Sequence, residues 1–543
     1  RQRRSSIETE GEWAFAHMLL RDVAYGQIPR AERAEKHAKA AEWIESLGRA
    51  EDHAELLAFH WSAALELAQA AGASTDQLAG HARLASRAAG DRAFALNAFP
   101  TAAAHYEKAL ARLPETDVTR PNLLFSLARA LLIAGDERAI EALEEARDAL
   151  VESGDRETAA EAEAFMAQVF WLRGQQSEVF PHVHAAEALV EGAKASPGVA
   201  RVLAWSARYQ MLDGQLESGL RRAKEALAIA ERLGSDELRI HALTTIGSAK
   251  EFLGDMSGRH DLEGAVEIGR AANSAMVAGA LNNLSVVVDG TDVRSVQDLQ
   301  REALREAERF GDVNMMRFVR GNMIAGSWML GEWDEAVAAA DEFVAECEQG
   351  SPHILEGPSR LFRGYITLAR GKRNESLEDF RQALELARRA RADPDSLVPA
   401  LIRNAWANMQ IGRLSEARAL FAEAVPVLRK HPYARPWVLA EVAVDLGETL
   451  AIRDIMAALP PSPAHRALVA VLDGDFDAAS ELYAAAGHAL FEAEARLRAA
   501  EQLFAAGRRA KGEAELEKAL SFYRSVGATL FIERGERLLA KSA

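Results

Sequence analysis

Seven residues of the kinds that move protons or hold phosphates crowd one short stretch, FAHMLLRDVAYGQIPRAERAEKHAKAAEW, from Phe15 to Trp43: His17, Arg21, Asp22, Tyr25, Arg30, Arg33 and His37. Such a set supports acid–base work, a phosphate contact, or a structural joint whose charges pair across an interface. The rest of the chain offers little chemistry to join it. No GxxxxGK[ST] occurs, and GKRNES at Gly371 lacks both the glycine spacing and a preceding strand. There is no HExxH and no G-x-S-x-G, and His182 and His184 in PHVH stand two apart, on different sides of a helix. Cys347 is the single cysteine, which excludes disulfides within the chain and suits a cytoplasmic protein; it reads as a small half-buried helix residue. Catalytic residues, metal ligands and cofactors of this chain are therefore each expected to be none. A net charge of −17 argues against nucleic acid as partner, and no apolar run approaches the ~18 residues that span a bilayer.

The elements that position these residues follow from composition and period. The chain is rich in Ala, Leu, Glu and Arg, which favours helix nearly throughout, with Pro expected between helices, as in LPPSPAH at 459–465. A helix ends in glycine at Gly135, Gly174, Gly214, Gly254, Gly290, Gly331, Gly371 and Gly412, in steps of 36 to 41 residues, and the period shortens through Gly447, Gly474 and Gly507. Around Gly214, Gly371, Gly412, Gly474 and Gly507 a small residue stands seven before, another five after and an Ala twelve after; Gly174 fits except for Val179. Ala207, Gly214, Gly219, Ala226 and Gly364, Gly371, Ser376, Ala383 are complete examples. Asn97 takes the glycine place in an upstream unit with Gly90, Ala102 and Ala109, and Tyr106, Phe380, Phe421 and Tyr483 fall nine after their turns. The glycine ends helix A with positive φ, the small residues mark the close crossing of helices A and B, and each hairpin must stack on the next to bury its face. The units at 254, 290 and 331 depart from the frame, with Asn283 and Ile324 where a small residue is expected.

This frame resembles the tetratricopeptide repeat in a lengthened form of about forty residues, over roughly residues 81–540. The resemblance implies an all-α fold, a right-handed superhelix of helical hairpins with helix A lining a concave face. Positions three and six before each turn then face the groove, giving Trp171, Arg208, Met211, Trp328, Tyr365 and Trp406, with Asn322 and Asn404 on the same helices. Aromatic faces with a few amides suit a peptide, protein or small metabolite. The competing reading places the aromatics in the core and uses the Asn side chains as cross-links.

The opening stretch, with F-x-H…RD-x-A-Y followed by R…H…A at Phe15, His17, Arg21, Asp22, Ala24, Tyr25, Arg33 and His37, resembles the link between an ATPase module and a helical repeat region in large bacterial signalling proteins. The C-terminal stretch from GDFDAASELYAAAGHALFEAEARLRAAEQLF onward is similar to the end of actinobacterial-type class III adenylate or guanylate cyclases with a signal-transducing ATPase and repeat tail, and to maltose-activator-like regulators. That likeness implies an upstream ATPase, binding ATP, or a cyclase, acting in cis. The expected organisation is a junction at 1–52, linking helices at 53–80, regular repeats at 81–430, an irregular repeat and Pro-rich loop at 431–466, and C-terminal repeats with a capping helix at 467–543. The expected role is a regulatory sensor or scaffold, with the tail of an ATP-dependent transcriptional regulator or a pure interaction scaffold as alternatives. In the stretch itself, Phe15, Leu19, Val23 and Ala24 form an apolar face, Tyr25-Gly26 breaks the helix, Pro29 starts a second, and Asp22 pairs with Arg21 or Arg33.

Overall fold

Glycine sets the repeat from the backbone up. In the computed structural model, Gly135, Gly174, Gly214, Gly254, Gly331, Gly371, Gly412, Gly474 and Gly507 all lie at φ between 70° and 84°, and Asn97 lies at 60°. The residue after each glycine donates its N–H five residues back: Gln175 to Phe170, Gln215 to Gln210, Lys372 to Thr367, Arg413 to Asn408. This is the Schellman arrangement, which satisfies carbonyls that the end of helix A would otherwise leave open. The next helices begin on side-chain caps where the sequence provides them: Asp155, Ser196, Asp312 and Asp475 accept the N–H of Thr158, Val199, Met315 and Ala478.

The structure describes residues 2–3, 12–13, 15, 17–48, 50–288, 292–389, 394–432, 438–457 and 463–542; Gly290 and most of the 459–465 loop lie outside them. Two compact units result, Arg1–Gly154 and Asp155–Ala543. In the first, a two-residue antiparallel ladder pairs Gln2 with Trp13 and Arg3 with Glu12. Its helices are α1 (Met18–Gln27), α2 (Arg30–Ser46), α3 (Ala54–Ala70), α4 (Asp76–Ala95), α5 (Phe99–Leu110), α6 (Arg120–Ile133) and α7 (Ala139–Ser153). In the second, the hairpins are α8 (Arg156–Leu172) with α9 (Gln176–Val190), α10 (Pro197–Leu212) with α11 (Leu216–Leu233), α12 (Asp236–Phe252) with α13 (Gly258–Ala271), and α14 (Val277–Val288) with α15 (Val293–Phe310). They continue as α16 (Val313–Leu330) with α17 (Trp333–Glu348), α18 (Glu356–Ala369) with α19 (Arg373–Arg389), and α20 (Pro394–Gln410) with α21 (Leu414–Lys430). Next come α22 (Leu439–Leu446) with α23 (Thr449–Ala457), α24 (Pro463–Asp473) with α25 (Phe476–Ala485), and α26 (Ala489–Ala505) with α27 (Arg509–Ser525), closed by α28 (Thr529–Ser542). The fold is all-α, a stack of tetratricopeptide-like hairpins.

The small positions are where helices touch. A Cβ on Gly219 would stand 2.8 Å from the Ala207 carbonyl oxygen and 3.0 Å from the Met211 nitrogen, so α10 and α11 cross nearly backbone to backbone. A Cβ on Gly90 would meet the Tyr106 ring at 2.6 Å, and one on Gly364 the Phe380 ring at 3.3 Å, so the small residue seven before the turn receives the aromatic nine after it. In the unit at Gly254 the crossing pairs Gly247 with Gly258, the first residue of α13 and one residue earlier than the frame gives. Proline does not keep to the connections: Pro181, Pro399 and Pro426 lie inside α9, α20 and α21, each removing one helical hydrogen bond from a helix held on both sides by neighbours. Cys347 is buried in α17, and burial pushes its thiol up to about 12.

Within the second unit the stack turns back on itself. The carbonyl of Leu172 accepts the Ile354 N–H at 2.7 Å, and that of Ala486 accepts the Val293 N–H at 3.2 Å. Arg370 Nε donates to the Val526 carbonyl, 156 residues on, at 3.0 Å. The rings of Trp328 and Phe491 meet edge-on at 5.4 Å, and Trp333 meets Phe522 at 6.2 Å. Hairpins several repeats apart are therefore in contact, and the A helices face one another across an inner side.

Candidate functional site

On the inner side of the second unit, the residues three and six before each turn fall into two groups. The first is partly open. Trp171 at the end of α8 packs on Phe318 of α16 with centroids 5.5 Å apart, and the Arg208 guanidinium of α10 lies 5.9 Å from the Trp171 ring. Met211 beside them is buried. Asn322 Nδ2 donates to Asn282 Oδ1 at 3.0 Å, joining α16 to α14, and Ser248 donates to Asn283 at 3.5 Å, joining α12 to α14. Here the mid-helix amides are cross-links between neighbouring A helices.

The second group is closed. Trp328 and Tyr365 are 0 % exposed and Trp406 is 1 % exposed. Tyr365 stacks on Trp406 at 4.2 Å and meets Trp328 edge-on at 5.1 Å, while Phe491 of α26 covers Trp328. These three rings are core, not the lining of an open groove, because α26 arrives from several hairpins away and seals them. Asn404 is likewise buried, donating to the carbonyls of Phe380 and Ala400.

Behind that seal lies a polar centre. Arg403 of α20 is buried over the Trp328 and Phe362 rings, 4.9 and 4.2 Å from their centroids, and burial pulls its guanidinium down to about 9. Arg498 of α26 forms a two-pronged pair with Asp445, at 2.6 and 2.9 Å, and reaches Glu494 at 3.4 Å. Burial opposes the Arg498 charge, but these carboxylates hold it above its ordinary range. Burial, with Glu494 adding to the push, raises the Glu441 carboxyl to about 8; burial raises Glu494 as well. Hydrogen-bond supply falls short of demand: Trp328 Nε1, the Tyr365 and Tyr523 hydroxyls, Arg403 Nε and Nη1, Glu441 Oε2, Glu494 Oε2 and Arg498 Nε are buried without a partner. Buried polar atoms are ordinarily satisfied, so a concentration of this kind marks a place where water, a ligand or an alternative arrangement belongs. The sequence reading missed the centre, although Glu441 stands six before Gly447, an inner position, and Arg403 and Arg498 each stand nine before a turn glycine.

The first unit brings part of the Phe15–Trp43 cluster together. The Tyr25 hydroxyl and His37 Nε2 are 2.8 Å apart, and His37 Nδ1 and His60 Nδ1 are 2.9 Å apart. Only one of two facing Nδ1 atoms can carry the proton, so the chain runs either from Tyr25 to His60 or back. Burial lowers both histidines, His37 further through Arg33 and His60 further through His37. Arg33 lies over the Tyr25 ring at 4.9 Å. Arg21 pairs with Asp22 at 2.7 Å rather than bridging across the joint, and His17 stands exposed at the start of α1. Helix α1 continues through Tyr25 and Gly26 to Gln27, and Pro29 is the N-cap of α2. Its expected apolar face is bare: Phe15 is 60 % exposed, Leu19 79 % and Val23 60 %. His60, the third member of the chain, was missed; its signal is the HW pair in the next helix.

Among the described residues no three His, Cys, Asp or Glu side chains are grouped to hold a metal, and no helix is long and apolar enough to cross a membrane. No protein-family model matches the chain, and no curated protein matches it. Among solved structures it is similar to a Rap protein complexed with Competence and Sporulation Factor, at 16% identity and TM-score 0.46 over 65% of this chain and 99% of that one. It is also similar to the quorum sensor NprR in complex with its cognate peptide NprX, at 11% identity and TM-score 0.42 over 60% and 97%. A third is a signal-transduction ATPase with numerous domains and a tetratricopeptide repeat sensor from Pyrococcus horikoshii, at 12% identity and TM-score 0.31 over 80% and 57%.

Proposed function

We propose that this chain is a regulatory repeat region that binds a protein, peptide or small metabolite on the inner face of its second unit and controls a signalling ATPase or nucleotide cyclase upstream. The observation that carries the reading is the seal itself. Stacking of neighbouring hairpins does not require α26 to lie on α16, yet it does so, and the contact leaves a set of buried polar groups without partners. A closure held by good apolar packing and opposed by unsatisfied polar groups is suited to two arrangements of similar free energy. A ligand preferring one of them shifts the balance and passes the change along the stack. The junction half of the reading is supported by α1, which buries none of its residues and turns Met18, Leu19 and Val23 to solvent, a face suited to an adjoining module.

The test is a thermal-shift screen of metabolites and peptides, followed by hydrogen exchange with the best ligand. Ligands that bind the folded state raise its melting temperature. Protection is expected to change on the inner A helices and on α26. A ligand whose protection stays on the outer helices alone would refute the inner-face reading.

A further inference from the structure

We propose that Arg208, with Trp171 and Phe318 as its aromatic floor, holds the carboxylate of a ligand whose uncharged end lies against Tyr209 and Gln176. The inference rests on the reading of the inner face as a ligand surface and names the chemistry of that ligand. In this acidic chain most buried or half-buried arginines meet a carboxylate: Arg201 pairs with Glu161, Arg222 with Glu187, Arg363 with Asp379. Arg33, Arg403 and Arg208 are exceptions that each lie over an aromatic ring, but Arg403 is sealed in the core while Arg208 is half-buried beside a cavity. Among the described residues it makes no ion pair; it lies over a tryptophan, on the half-open part of the inner face. Burial lowers its guanidinium, and the Tyr209 phenol is the one neighbour that opposes this. The adjacent His241 is held neutral, at about 3, by burial and by Arg208 and Arg201, so it brings no compensating charge. A desolvated guanidinium beside a flat ring offers two parallel N–H donors to a planar oxyanion, with the ring to stack what that oxyanion is attached to.

Beside Trp171 a cavity of about 40 Å³ is lined by Gln176, Val179, Phe180, Tyr209, Leu212 and Asp213. A second, of about 70 Å³, shares Gln176 and adds His353. Both polar atoms of the Gln176 amide, the Tyr209 hydroxyl and His353 Nε2 are buried without a partner. Tyr209 is 2 % and His353 7 % exposed. His353 Nδ1 accepts the Leu355 N–H at 3.1 Å, so its proton sits on Nε2 and needs an acceptor. Burial keeps Tyr209 protonated and His353 neutral. The unpartnered groups of the recess are therefore neutral donors and acceptors; Asp213 at its edge takes a hydrogen bond from Gln215, Arg173 and Glu356 line the second cavity, and Arg208 stands beside the first, against Trp171. Cavities of about 40 and 70 Å³ take only a short polar group, so a flat group on the carboxylate stacks outside them on the Trp171 ring beside Arg208. A free carboxylic acid and the C-terminus of a peptide both supply that carboxylate.

The experiment measures tryptophan fluorescence and melting temperature of the full chain against benzoate and indole-3-acetate, each with its carboxamide, at constant ionic strength. A tripeptide, Ala-Ala-Phe, with free or amidated C-terminus forms the second arm. Each carboxylate is expected to bind about tenfold or more tightly than its amide, the value of one charge-assisted hydrogen bond. Arg208→Met should abolish that preference without lowering the melting temperature, and Arg208→Lys should retain part of it. Tyr209→Phe should weaken both members of a pair while leaving their ratio. Preference in the small-acid arm alone, or in the peptide arm as well, assigns the source of the carboxylate. Equal binding of acid and amide, a preference that survives Arg208→Met, or no binding by any probe would overturn the assignment. A ligand from the wider screen that stabilises wild type and Arg208→Met equally would do so too, while leaving the sensor reading in place.

Discussion

Replacing Glu441 by Gln should make the second unit less sensitive to pH, with a size that follows from one buried carboxyl. A glutamate exposed in the unfolded chain titrates near ~4.3. Burial and Glu494 hold Glu441 at about 8 in the fold. Between those values the folded state binds the extra proton. Stability from this group is full below the unfolded value and is lost as pH rises through the folded one, at about 1.4 kcal/mol per pH unit. From pH 6.0 to 7.5 the loss is about 2 kcal/mol. Spread over the roughly 390 residues from Asp155 to Ala543, that is about 2–3 °C of melting temperature. Glutamine keeps the shape of the neutral acid and takes up no proton. The assay is calorimetry of wild type and Glu441→Gln at both pH values in matched buffers. The gap should widen with pH in favour of the variant by that amount. Parallel curves would show that Glu441 ionises normally in the fold and that the polar centre is not as dry as its burial implies.

Two contrasts test the packing. Gly219→Val, whose Cβ meets the Ala207 carbonyl at 2.8 Å, should cost at least 2 kcal/mol by chemical denaturation, whereas Gly412→Ala, at φ 81° in open space, should cost about 1 kcal/mol, the left-handed penalty alone. Trp328→Ala should destabilise the second unit by about 3–5 kcal/mol and raise hydrogen exchange in α26 as well as α16; a change confined to α16 would refute the seal.

The turns were legible because their cause is local. A residue at positive φ, glycine in all but the Asn97 unit, stands where helix A stops and the chain doubles back, and the small residues on each side mark a crossing a few residues away in sequence. The contact between Trp171 and Arg208 is of the same local kind, since it joins α8 to α10, the first helices of neighbouring hairpins. What covers Trp328, Tyr365 and Trp406 was not, because Phe491 and the Arg370–Val526 bond come from hairpins that no forty-residue period points to. The pairing of His37 with His60 depends on how α2 lies against α3, and the Asp445–Arg498 pair spans two hairpins. Charge at an inner frame position, as at Glu441, is the sequence signal that would have found the polar centre.

The bond from Arg370 to Val526, with the Ala486–Val293 bond and the Trp328–Phe491 contact, bears on how the chain reaches this fold. A repeat array touching only its neighbours unfolds piecemeal, its stability close to a sum of local increments. Contacts closing loops of some 160 residues make the last hairpins conditional on the first ones they meet. The segment from α15 to α28 is therefore expected to melt as one cooperative block rather than hairpin by hairpin.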